Sequence, residues 1–408
     1  MRILVVSNLF PPAVEGGYER ECEGAVEHLS EQHEVLVLTS VRGSGAGKPG
    51  VQRALPLLPL DAGGSLRAPL ASVRAARIVE DAIAGFEPDL IYYWNGAGIP
   101  VSALAAAGRS GVPLALRVCE GWLGHIFESD QFARELAPGE RGPLRRAWAA
   151  GVRPLDRHRL LGLRELAPFP AAIAWNSDFL RAETPVPRQV EPLLEERFYP
   201  ALPQGDRLIG LERRPAAEPT IAFVGRVNAD KGIHVAVEAL GLLRAEGGIQ
   251  ARLVVAGPFD EATGDALGAQ ASELGLADAI DLLGPVSGDD LDAVFAAAHA
   301  LLVPSVWDEP AGLVCVEAAL ARVPLVASRA GGIPELIREP EEALLFDRGD
   351  AAAAASCLKS ALRDHDATAA RVERAFERGR ELSYGPYTEA TDRFLDRAIA
   401  AFGDSAAG

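Results

Sequence analysis

Twice along this chain, short continuous apolar runs alternate with amphipathic segments, and that alternation constrains the fold more than any single motif does. ILVVS (Ile3–Ser7), EVLVLT (Glu34–Thr39), LIYY (Leu90–Tyr93), PLALRV (Pro113–Val118) and AAIAW (Ala171–Trp175) read as strands too uniformly apolar to have a wet face. Helical periodicity fills Glu19–Ser30 and Ala71–Ala84 between them. Strands buried on both faces and joined by helices build parallel sheets with helices on each side. A second series of strands is expected at Thr220–Val224, Arg252–Ala256, Ile280–Leu283, Ala300–Val303, Leu325–Ala327 and Ala343–Phe346. Between the two series, Glu191–Pro219 is rich in Pro, Glu and Arg, shows no periodic element and reads as a linker. The expectation is an α/β protein of two Rossmann-like lobes, residues 1–198 and 199–385.

Composition narrows the function. At 408 residues, 49% hydrophobic and 24% charged, the chain has the apolar content of a soluble globular protein with more than one core. A formal charge of −17 argues against sequence-independent binding to nucleic acid, which needs a basic footprint. Cys22, Cys119, Cys315 and Cys357 are far apart and form no CxxC, so neither a zinc site nor a disulfide framework is indicated. The opening MRILVVSNLF has too short an apolar run for a signal peptide, and no stretch reaches the roughly 18 apolar residues of a membrane span. A cytoplasmic protein is expected.

Doubly wound sheets bind ligands beyond the carboxyl ends of their strands, so the loops after strands hold the candidates. LFPPAVEGGYE (Leu9–Glu19) places Gly16 and Gly17 just before a helix, where backbone can approach a phosphate or sugar, or simply make a tight turn. It is not GxGxxG, which weakens a dehydrogenase reading. GSGAGKPG (Gly43–Gly50) imitates a phosphate-binding loop but has Arg42 in place of the first glycine and Pro49 where Ser or Thr should follow the lysine; it reads as a linker. In the second series, Arg226 and Lys231 stand before a helix start near Gly232, a strong anion site. Only three of the 40 basic residues are lysines, so a lysine in this loop stands out. VWDEPAGLVCVEAAL (Val306–Leu320) carries Glu309 and Glu317 eight residues apart, too far round a helix to share one reacting atom. Pro310 and Gly312 start the helix near Leu313, leaving Glu309 in the loop and Glu317 past the first turn. Asp290 and Asp292 in SGDDLDAVF imitate a metal-binding DxD, but Ser287 and the aspartates read as a helix cap.

In order, GR-x4-KG (Gly225–Gly232), VVAG (Val254–Gly257), LLG (Leu282–Gly284), VPS (Val303–Ser305), E-x7-E (Glu309–Glu317) and SRAGGIPEL (Ser328–Leu336) resemble the retaining glycosyltransferases of family four. The resemblance covers nearly all of the second lobe and, more loosely, the GG loop of the first. It implies a GT-B fold of two facing lobes with an interlobe cleft, in which residues 386–408 cross back to complete an acceptor-binding first lobe. The second lobe would bind a nucleotide-diphosphate sugar as substrate, with no cofactor and no metal. By position, Glu317 would accept from the ribose hydroxyls and Glu309 would bind the donor sugar. Gly312, Leu313 and Val314 would offer N–H groups to sugar and β-phosphate, with Gly16 and Gly17 also on the donor. Arg226 and Lys231 would stabilise the departing diphosphate.

The chain departs from the family at two places. Cys119 stands where the family has a histidine that meets the hydroxyl on carbon six of the donor, with His125 six residues on. A thiol there points to a deoxysugar donor, unless Glu120 or His125 fills the place. Ala311 replaces the aromatic before the glycine of the second motif. For the acceptor, Trp94, Asn95 and Trp122 are the candidates, though alternate aromatics of a strand end are core. The arginine-rich Glu140–Leu166 is either a solvated helix or a surface for an anionic acceptor or a membrane. A different class also fits: a non-catalytic nucleotide-sugar-binding regulator or scaffold.

Overall fold

The computed structural model describes residues 1–43, 48–58, 68–129, 168–245 and 248–407, together with 147 and 151. The chain divides into two compact units, Met1–Phe198 with Thr388–Gly408, and Tyr199–Tyr387.

The first unit is built on a parallel sheet of β1 (Arg2–Ser7), β2 (Glu34–Ser40), β3 (Val51–Leu55), β4 (Leu90–Tyr93), β5 (Leu114–Val118), β6 (Phe169–Trp175) and β7 (Val190–Arg197). Their order is β3-β2-β1-β4-β5-β6-β7. The inner strands β4 and β5 are buried along their whole length, as their uniform apolar runs require. One residue breaks that uniformity: Arg117, in the middle of β5, is fully buried. Its Nη2 and Nε donate to Glu21 Oε1 at 2.7 and 3.0 Å, and its Nη1 donates to the carbonyl of Phe198 at 3.1 Å. Its guanidinium lies 4.1 Å from the centre of the Phe198 ring. A buried arginine is tolerable only with its donors met, and here they tie the helix Tyr18–Ser30 and the end of the unit's last strand to the sheet. The last helix, Tyr384–Ala407, contributes its residues from Thr388 onward to this unit, and Asp392 meets His28 Nε2 at 2.9 Å.

The second unit is a parallel sheet of β8 (Thr220–Val224), β9 (Arg252–Ala256), β10 (Ile280–Gly284), β11 (Ala300–Val303), β12 (Leu325–Ser328) and β13 (Leu344–Phe346), in the order β10-β9-β8-β11-β12-β13. Both sheets change winding direction beside their first strand, at β1/β4 and at β8/β11. Such switch points open a crevice at the carboxyl ends of the two strands.

Two sequence expectations are corrected. Glu191–Pro219 is not simply a linker, because Val190–Arg197 is the edge strand β7, parallel to β6. An edge strand needs no continuous apolar run, and its Glu195 accepts from Trp175 Nε1 at 2.9 Å. The cap assigned to Ser287 is also wrong: the residue before the helix Asp289–Ala297 is Gly288, at φ 61°, with no side-chain cap. The aspartates do occupy the first turn, where their charge suits the dipole. The basic segment Glu140–Leu166 lies outside the described residues, apart from 147 and 151. Among the described residues no helix is long and apolar enough to cross a membrane.

Candidate functional site

The switch point of the second sheet brings together the loops that follow β8 and β11. Arg226 and Lys231 lie on the first loop, Ser305 to Glu309 on the second. The loops are stitched through backbone: the N–H of Val306 donates to the carbonyl of Asp230 at 2.9 Å. At Gly232 the approach is closer still. This residue sits at φ 71°, and a Cβ there would stand 1.9 Å from the carbonyl oxygen of Pro304. Only glycine fits.

Lys231 and Glu309 meet directly. Nζ lies 2.5 Å from Glu309 Oε1, with the two side chains 22% and 6% exposed. The Ser305 hydroxyl donates to the same oxygen at 2.6 Å. On its other side the Lys231 ammonium lies 5.3 Å from the centre of the Trp307 ring, within range of a cation–π contact. The carboxylate is thus held by two donors, and the ammonium by a carboxylate and an aromatic face. Arg226 is exposed on the same loop.

A third loop supports this pair from below. After β12, Gly332 N–H donates to the carbonyl of Glu309 at 2.8 Å, and the Ser328 hydroxyl to the carbonyl of Ser305 at 2.7 Å. Gly331, at φ 54°, lies so close that a Cβ would stand 2.2 Å from Glu309 O. Neither Ser305, Trp307 nor this glycine pair is among the residues singled out from sequence. The VPS and SRAGGIPEL motifs contain them, but only the fold reveals what they touch.

The helix Leu313–Leu320 begins right after this loop, with Gly312 as the preceding residue. The first N–H groups of a helix have no intrahelical acceptor, so Leu313 and Val314 present donors at the start of this helix. Glu317 is half-buried one turn further on and lines a small cavity with Leu202, Asp206, Leu313 and Tyr384. Cys315, between the two glutamates, is buried, and burial pushes its thiol well up from its ordinary value; it stays a neutral packing residue. Among the described residues no group of three or more His, Cys, Asp or Glu is placed to hold a metal ion.

The first unit treats its candidates differently. The N–H groups of Glu15 and Gly16 are already donated to the two carboxylate oxygens of Glu19, at 3.0 and 2.9 Å. The Gly16 amide is therefore taken by the protein itself; Gly17 directly precedes the helix Tyr18–Ser30. Trp94 and Asn95 are fully buried and Trp122 nearly so. Trp94 packs against Tyr92 with ring centres 5.4 Å apart, and Trp122 against Tyr93 at 5.9 Å. The Asn95 side chain is spent internally, donating to Glu120 and accepting from Ala97 N–H. Cys119 is buried as well. Its thiol lies 3.9 Å from Glu21 Oε2 and 3.9 Å from the carbonyl of Arg117, and desolvation raises it well above the ordinary thiol range. His125 is exposed.

Comparison with known proteins bears on both units. Residues 16–203 match the family described as "Glycosyl transferase 4-like domain", and residues 210–378 match "Glycosyl transferases group 1". The D-inositol 3-phosphate glycosyltransferase of Corynebacterium efficiens is 33% identical over 219 residues, covering 50% of this chain and 51% of that protein. The protein of the same name from Salinispora arenicola is 30% identical over 276 residues, 62% of this chain and 61% of its own. The chain thus spans between half and two thirds of the length of these two curated relatives. Among solved structures, Anabaena Alr3699/HepE in complex with UDP and glucose superposes with a TM-score of 0.65 at 19% identity, over 97% of this chain and all of that one. That likeness shows the fold.

Proposed function

Because this chain belongs to the GT-B glycosyltransferases of the family-four type, we propose that it moves a hexosyl or deoxyhexosyl group from a nucleoside-diphosphate sugar to an acceptor hydroxyl, with retention and without a metal. The observation that carries this reading is the Lys231–Glu309 pair at the second switch point, on the loop that leads into the helix Leu313–Leu320. In the reaction the bond between the anomeric carbon and the phosphate oxygen breaks, and its electron pair leaves with the diphosphate. Negative charge grows on the β-phosphate, where Lys231, Arg226 and the N–H groups of Leu313 and Val314 meet it. Preorganised charge of this kind acts on the transition state more than on the bound donor. Glu309 holds a hydroxyl of the donor sugar and Glu317 the ribose hydroxyls, so the two carboxylates grip opposite ends of one ligand. The acceptor oxygen attacks from the face the diphosphate leaves, and its proton passes to the departing phosphate oxygen. No separate protein base is required, and two cations do the work of a divalent ion.

The first unit is assigned to the acceptor. Its identity is left to experiment, since the curated relatives named for inositol 3-phosphate are matched over only part of their length. Those relatives are transferases by name, which favours catalysis over a purely binding role. The test is a panel of UDP-, GDP- and dTDP-sugars, first for thermal stabilisation and then for product. Retention is read from the anomeric proton of the product by NMR, and metal independence from unchanged rates in EDTA. Inverted product, or a rate abolished by EDTA and restored by magnesium, would refute the corresponding part.

A further inference from the structure

We propose that Ser305 is a positioning residue for transfer, fixing which oxygen of Glu309 meets Lys231 and leaving the other for the donor sugar. The inference rests on the functional reading above and deepens it. Both contacts of the Glu309 carboxylate fall on one atom: Lys231 Nζ at 2.5 Å and Ser305 Oγ at 2.6 Å, each to Oε1. Among the described residues no donor is paired with Oε2.

That asymmetry needs a cause, because a carboxylate turns about its last torsion over a broad range and its two oxygens are chemically alike. A lysine alone, a point charge on a flexible stem, cannot choose between them. The Ser305 hydroxyl can. Ser305 is 1% exposed, and its carbonyl accepts from the hydroxyl of Ser328, itself fully buried at the end of β12. The Glu309 main chain is pinned separately by Gly332 N–H. The hydroxyl therefore reaches Glu309 from a fixed point, while the backbone it acts on is fixed as well. Two donors converging on Oε1 remove the carboxylate's freedom to turn, and they set the ammonium of Lys231 at one place. Transfer depends on that placement, since a misplacement near 1 Å costs about 100-fold in rate.

Ser305 touches no reacting atom in this scheme, so its effect must appear in turnover and not in nucleotide binding. The test compares Ser305→Ala, Ser305→Thr and Ser305→Val for kcat, KM, UDP affinity by calorimetry and melting temperature. Thr and Val have the same shape and differ by the hydroxyl. Expected for Ala and Val is a kcat lower by about 10- to 100-fold with UDP affinity within about twofold of wild type. Thr is expected to recover most of the loss. Wild-type kcat in Ser305→Ala, or equal kcat in the Thr and Val variants, overturns the inference alone. So does a parallel loss of UDP affinity and melting temperature in all three, which would mark the position as structural. If the wild-type protein releases no nucleotide from any UDP-, GDP- or dTDP-sugar, the functional reading falls, and this inference with it.

Discussion

Replacing Lys231 by Met would strand the Glu309 carboxylate, 6% exposed, with a single neutral donor, the Ser305 hydroxyl. Breaking a buried ion pair by removing one partner costs about 3 to 5 kcal/mol. Lys231 is itself 22% exposed, so water reaches the vacated place and the cost is discounted to about 2 kcal/mol. For a unit the size of Tyr199–Tyr387 each kcal/mol shifts the melting temperature by about 2 to 4 °C, so a fall of roughly 4 to 8 °C is expected. Glu309→Gln in the same chain removes the orphaned charge and keeps a carbonyl for Ser305. The double variant Lys231→Met, Glu309→Gln should therefore melt within about 2 °C of wild type, a coupling that only directly interacting residues show. Activity is not rescued: transfer by the double variant stays down by at least about 10-fold, the scale of one lost transition-state contact. Thermal melts by circular dichroism without ligand give the cycle, and nucleotide release gives the rate. Additive losses of stability in the double variant, or a Lys231→Met protein that melts with wild type, would refute the reasoning from the pair.

The two glutamates should fail differently: Glu317→Gln weakens binding of free UDP by about 10-fold, while Glu309→Gln spares UDP and lowers transfer, and equal loss of UDP affinity in both contradicts the assignment. Gly331→Ala forces a Cβ toward the Glu309 carbonyl at φ 54°; the expected outcome is a stability loss of about 1 to 3 kcal/mol by urea melts with slower transfer, and wild-type behaviour in both would sink it. Desolvation raises the Glu19 carboxyl above its usual 4.5, so its stabilising share is full below that value and is lost as pH rises through the raised one. Melting temperatures of wild type and Glu19→Gln between about pH 4 and pH 8 should accordingly move in the variant's favour as pH rises, and a constant difference argues against a strained carboxylate.

How much of this was legible in sequence follows from what each element buries. Strands β1, β4, β8, β9 and β11 lie inside their sheets, must be apolar on both faces, and were read at or within a residue of their observed ends. The edge strands β3 and β7 escape such a reading. Half their surface faces solvent, so QR in VQRAL and the glutamates of β7 carry no period that separates strand from loop. Arg117 is the opposite case, a charge in a run that otherwise reads as core, whose partner Glu21 lies 96 residues away in sequence. Nothing local announces such a pair. The burial of Trp94, Asn95 and Cys119 belongs here too: a strand end looks exposed in sequence because its loop is polar, and only the packed unit shows which side chains turn inward.

The candidate site was legible as residue types and not as contacts, and the reason is topological. Lys231 and Glu309 are 78 residues apart, and what joins them is that β8 and β11 are neighbours although β9 and β10 lie between them in the chain. A switch point makes such neighbours by sending one half of the sheet each way, and its crevice is where two loops can meet without a strand between them. Bringing the loops together still requires that backbone pass against backbone. Gly232 against Pro304 and Gly331 against Glu309 are those passages, at 1.9 and 2.2 Å for the Cβ that neither residue has. The glycines of GR-x4-KG and SRAGGIPEL therefore act through distance: they let charged and hydroxyl-bearing loops close to hydrogen-bonding range, and the Lys231–Glu309–Ser305 cluster exists only because they do. A larger residue at either position would leave every side chain of the cluster in the sequence and separate them in space.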